Sequence, residues 1–198
     1  MSAESLAGQM RTAAAALLAG LDPGQRELAA RPFGDDAARR WLEYRPRSRP
    51  GDLVRELLDA LGPQGRSAAV VAGQPPADIR TATSPRASQQ ITPLGAPAAG
   101  LRPAARALLA QLVALYLDRL PAELAAREAA RLDGSDLHFA WEGPLTPGAR
   151  HYYRVQGDDL LIEYDTTADG NHAHTVLRRP RGDFGDDVLA AHYAREHP

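Results

Sequence analysis

Two different periodicities divide the chain. From Ser2 to about Asp133, apolar residues recur every three or four positions in an Ala/Leu/Arg-rich background, the spacing of helices with one buried face. From Asp136 to Arg178 the texture changes to aromatic and β-branched residues that alternate with polar ones, the spacing of half-buried strands. The predicted fold class is therefore α+β, with N-terminal helical hairpins packed on a C-terminal four-stranded antiparallel meander and a closing helix.

The first region contains a repeat. "LLAGLDPGQRELAA" (17–30) and "LLDALGPQGRSAAV" (57–70) align at Leu-Leu, Leu, Pro, Arg and Ala, so each predicts a helix end, a Pro-containing turn and a second helix start. The stretch 1–72 is thus a helical hairpin repeat, interrupted by an arm, "RRWLEYRPRSRPG", that carries Trp41, Tyr44 and several prolines. A Pro/Ala-rich segment over 73–100 has the composition of either an ordered crossing loop or a linker. Helices resume over 101–133, with Pro103 in a first turn and Leu108, Leu112, Leu115 and Leu120 as the expected buried stripe. Pro121 opens the next helix.

The strands expected within 136–178 are Leu137–Glu142, His151–Gln156, Leu160–Thr166 and His172–Arg178, separated by turn compositions. An Asp-initiated helix is expected over 183–196. The length of 198 residues suits one domain with a core of its own.

Composition removes several chemistries. With no cysteine, thiolate metal sites, disulfides and cysteine nucleophiles are excluded. Every cation is arginine, which excludes lysine Schiff bases and a P-loop lysine. A net charge of -2 argues against a nucleic-acid partner. The apolar run Thr12–Leu21 is too short to span a bilayer and lacks the flanks of a signal peptide, so a cytoplasmic protein with no membrane partner is expected.

Candidate chemistry gathers in "DGNHAHTV" (169–176), where His172 and His174 point the same way from one strand. If the turn before them has even length, Glu163 and Asp165 of the preceding strand share their face, roughly 5 Å away between Cβ atoms. His172, His174 and Glu163 then form a two-histidine, one-carboxylate set suited to iron, copper, manganese or zinc. His151 and His138 are candidate fourth ligands or catalytic bases, with Arg154 beside them in the catalytic set. Trp141, Tyr152 and Tyr153 are candidate pocket walls, and Arg154 or Arg178 could hold a substrate carboxylate. The competing reading makes the histidines half-exposed strand residues and the aromatics sheet core.

The segment 137–194, with "HFAW", "HYYR", "IEYD" and "NHAH" leading to "DFG", resembles the closing part of the bacterial domain of unknown function 3500 family. "PPADIRTATSPRA", "LLAQLVALYLDRLP" and "RRWLEYRPRSRPG" resemble it upstream. The resemblance implies a fold and gathers His138, His151, Glu163, His172 and His174 into one cluster, without implying a known reaction. Members are usually longer and carry a central Gly-His-His segment that is lacking here; if that segment supplies a ligand in longer members, the site here is incomplete or altered. Thr166 and Leu177 are smaller departures. These features predict a small metalloenzyme acting on a small organic molecule, in specialised metabolism. The alternatives are a non-catalytic small-molecule-binding or interaction protein and a metal-free acid/base enzyme using His151 and Glu163.

Overall fold

The structure, a computed structural model, describes residues 3–30, 50–82, 84, 92–132, 137–166, 173–182, 192 and 194–196. Its architecture is α+β. The helices are α1 (Ala3–Gly20), α2 (Pro23–Ala29), α3 (Pro50–Ala60), α4 (Gly62–Ala69), α5 (Pro103–Leu117) and α6 (Ala122–Arg131). The strands are β1 (Val70–Ala72), β2 (Ala96–Pro97), β3 (His138–Glu142), β4 (Tyr152–Gln156), β5 (Leu161–Thr166) and β6 (Ala173–Arg178).

The repeat is visible as a shared contact. Arg26 of α2 donates to the Leu18 carbonyl, and Arg66 of α4 donates to the Leu58 carbonyl, the same offset in both hairpins. Their fates then diverge. Val54, Leu57, Leu58 and Leu61 of the second hairpin enter the core, whereas Leu17 and Leu28 of the first are 65% and 71% exposed. The Trp41/Tyr44 arm lies outside the described residues.

Strands β3 to β6 pair antiparallel in sequence order, but the expected meander is only part of a larger, mixed sheet. Two further strands pair with β3: β1 runs parallel beside Trp141 and Glu142, and β2 antiparallel beside Phe139 and His138. Gly95 lets β2 come so close, because a Cβ at its φ of +90° would lie 2.0 Å from the Phe139 carbonyl oxygen. The described part of the segment 73–100 contributes β2 and a crossing over the sheet.

One sheet face carries Phe139, Trp141, Tyr153, Val155, Ile162 and Tyr164, and α3 and α5 pack into the same core. Each fully buried side chain of this kind contributes roughly 1.5–3 kcal/mol. On α5 the buried stripe is Ala105, Leu109, Leu112, Val113, Tyr116 and Leu117. Leu108, Leu115 and Leu120, expected there, are only partly buried, so the helix is rotated by about one residue from the predicted setting. Pro103 does occupy the first turn, and α6 follows Pro121. Among the described residues no helix is long and apolar enough to cross a membrane. Most of the predicted closing helix lies outside the described residues, although 192 and 194–196 are helical.

Candidate functional site

Alternation sends the remaining side chains to the other face, where the pairing registers arrange them in three rows across β3, β4, β5 and β6. The first row is His138, Gln156, Leu161 and Arg178; the second is Ala140, Arg154, Glu163 and Val176; the third is Glu142, Tyr152, Asp165 and His174. Asp165 stands directly opposite His174, so both carboxylates of β5 do share the face of that histidine. His172 and the turn before it lie outside the described residues.

A face with so many charges would ordinarily meet water, yet it is buried. Residues 76–82 and 84 cross it and are pinned at five places. The Arg150 guanidinium donates to the Pro76 carbonyl. The His174 Nδ1 lies 2.6 Å from Asp78 Oδ1. Arg80 grips both oxygens of Glu142, at 2.8 and 2.6 Å, while its guanidinium lies 5.7 Å from the Tyr152 ring centroid. Glu163 receives the Arg80 N–H at 2.8 Å, the Thr81 N–H at 3.3 Å and the Thr81 hydroxyl. Arg178 donates to the Ser84 carbonyl at 2.9 Å.

Glu163 is consequently a structural staple. It is 1% exposed, and Tyr152 supplies a fourth hydrogen bond at 2.7 Å, so both oxygens have donors. Burial and the neighbouring Glu163 charge push the Tyr152 hydroxyl well above its ordinary pKa, keeping it a neutral donor. The metal set expected from the sequence therefore changes: Glu163 is engaged by the crossing segment, and His174 is engaged by Asp78. Among the described residues no group of three or more His, Asp or Glu side chains has the geometry to hold a metal ion.

His151 is on the opposite face, the main departure from the expected cluster. It pairs with Thr166 and stacks on Trp141 with ring centroids 4.5 Å apart and on Tyr164 at 5.7 Å. Burial lowers the imidazole pKa, which keeps it neutral, and Arg55 adds to the effect. The His151–Glu163 acid/base pair is thus separated by the sheet. Trp141 and Tyr153, expected as substrate walls, are also core residues: the indole donates to the Gly143 carbonyl at 3.0 Å, and the two hydroxyls of Tyr153 and Tyr116 meet at 2.7 Å. His138 is at the far row from His174, on the same face. Arg154 and Arg178 are both on the polar face, and Arg178 holds the crossing segment.

Asp165 differs from its neighbours. It is 0% exposed, and neither carboxylate oxygen receives a hydrogen bond; Arg150 Nη2 approaches only to 3.7 Å. Desolvation raises its pKa to about 6, opposed by Arg150 and reinforced by Asp78, with His174 opposing. Asp78, Arg80, Thr81, Glu142 and Arg150 had no predicted site role. A signal existed only in "PPADIRTATSPRA", whose resemblance to the family assigned it no contact.

The profile of the family described as a protein of unknown function (DUF3500) matches residues 42–186, and the chain belongs to that family. No curated protein and no solved structure matches the chain significantly.

Proposed function

We propose that this member of the DUF3500 family is an enzyme acting on a small organic molecule by proton transfer at the Asp165 end of the polar sheet face. The observation that carries the reading is the contrast between two buried carboxylates on one strand. Glu163 has four hydrogen bonds, as structural carboxylates do, whereas Asp165 has none and titrates near pH 6. A carboxyl poised there can take and return a proton near neutral pH. Asp78 orients the His174 ring beside it by engaging Nδ1, an arrangement in which Nδ1 carries the proton.

The test is to incubate the protein with a mixture of small metabolites and follow each by mass spectrometry, with Asp165→Asn in parallel. A compound altered by the wild type and left alone by the variant supports the enzyme reading. No altered compound with either protein supports a non-catalytic binding protein instead, and a compound altered equally by both removes Asp165 from the reaction.

A metal-dependent form of the same site is the second reading, favoured by one contact: His174 meets a carboxylate, Asp78, directly across from Asp165. The described His174, Asp78 and Asp165 do not by themselves have the geometry to hold an ion, so this form needs His172 as a further ligand beside His174, with Asp78 in place of Glu163 as the oxygen donor; iron, copper, manganese and zinc all accept such ligands. Metal analysis of tag-free protein decides it: near-stoichiometric metal that disappears in His172→Ala plus His174→Ala is the expected result, and sub-stoichiometric metal unaffected by the change refutes it.

A further inference from the structure

Arg154 lies at the centre of the polar face and is only 5% exposed. Its Nε and Nη2 are sealed from solvent and have no hydrogen-bond partner. A guanidinium cannot relieve that cost by losing its proton, as a buried lysine or histidine can. The other arginines of this face are all engaged: Arg80 by Glu142, Arg150 by the Pro76 and Thr166 carbonyls, and Arg178 by the Ser84 carbonyl. Glu163, opposite Arg154 in register, balances its charge but directs its oxygens to the crossing segment and Tyr152. Across β3 the neighbour is Ala140, which presents only a methyl group.

We propose that Arg154 binds the carboxylate of a small monocarboxylic acid, which makes such an acid the substrate class of the site proposed above. The inference rests on that site for its catalytic meaning, but the binding stands by itself. Nε and Nη2 form the edge of the guanidinium that accepts a carboxylate side-on through two parallel hydrogen bonds. A single negative charge suits the position, because Glu163 already provides one and a phosphate dianion would meet its repulsion. Asp165 is the diagonal neighbour of Arg154 across β4 and β5, roughly 7–8 Å away and somewhat less between Cβ atoms. A substrate held at Arg154 by its carboxylate thus extends its next carbons toward Asp165, where the proton would be taken or delivered.

The probe is propionate, with propionamide and inorganic phosphate as controls at constant ionic strength. The readout is the arginine Nε–H resonance that Arg154→Gln removes from the nitrogen–proton NMR spectrum. Propionate should shift that resonance saturably in the wild type, propionamide should leave it unmoved, and the propionate affinity of Arg154→Gln, read by calorimetry because the variant lacks the resonance, should fall at least tenfold; Asp165→Asn, which removes a neighbouring carboxylate, should bind propionate at least as tightly as the wild type. An equal response to propionamide, a response to phosphate alone, or no saturable shift with propionate overturns the proposal. If Arg154→Gln does not fold, selective 15N-arginine labelling and sequential assignment identify the resonance, and the wild-type and Asp165→Asn titrations still decide the outcome. A normal carboxyl pKa at Asp165 would remove the proton-transfer reading while leaving the propionate response intact, so the two failures are distinguishable.

Discussion

On one side of β4, Tyr153 and Val155 pack among Phe139, Ile162 and Tyr164, while on the other Tyr152 and Arg154 are buried to a similar depth among carboxylates and guanidinia. The first side is held by apolar contact, ring stacking and a few hydroxyl bonds. The second is held by the crossing segment, whose backbone and arginine donors answer the charges of the sheet. Equal burial therefore has different meanings on the two faces. On the apolar side the burial of a side chain is itself favourable, whereas on the polar side each buried group needs a partner. His151 shows the first rule, since a neutral imidazole between two aromatic rings behaves as a core residue. Asp165 and Arg154 break the second, and that is what singles them out among the ionisable groups of this face.

Substitutions can separate the two faces by size and sign. Trp141→Ala empties the largest core site and should cost about 3–5 kcal/mol in urea unfolding; a loss under about 1 kcal/mol would mean the apolar face does not anchor the fold. Glu163→Gln places an amide N–H₂ among donors and should cost about 2–3 kcal/mol, with faster proteolysis in 76–84 as a second readout. Asp165→Asn should have the opposite sign. Because the folded-state pKa of about 6 lies above the ordinary carboxylate value, the native state holds its proton longer than the unfolded chain, and wild-type stability falls as pH rises from about 4 through 6. The variant loses that slope, so it should be about 3 kcal/mol more stable than wild type at pH 8 and nearly equal to it below pH 4. Tyr116→Phe, which removes the hydroxyl that meets Tyr153 and Thr175, should cost only about 1 kcal/mol by thermal unfolding.

Much of the sheet was legible because alternation is a local signal. The strands β3 to β6 follow from it, whereas the placement of Glu163, Asp165 and His174 on one face also needed the pairing register, which alternation leaves open. The position of His151 was accessible to the same reasoning, since the four residues between Gln156 and Leu161 form an even connection that puts Tyr152 and Arg154, not His151, beside Glu163. The short β1 and β2 were not legible: three residues after a helix and two within a Pro/Ala-rich stretch carry no period. The crossing segment was invisible for a different reason. Asp78, Arg80 and Thr81 lie 62 to 96 positions from the residues they hold, and such pairings are set by tertiary packing rather than by spacing. The divergence of the two hairpins has the same origin, since stretches that share Leu-Leu, Leu, Pro, Arg and Ala at matching offsets end in the core in one copy and on the surface in the other.

The central claim is that Asp165 is a buried carboxyl without hydrogen-bond donors, kept available for proton transfer. A carbon-13 NMR titration of its side-chain carboxyl, assigned by comparison with Asp165→Asn, tests it directly. A midpoint near pH 6 is the predicted result. A midpoint at or below about 4, the ordinary aspartate value, would contradict it.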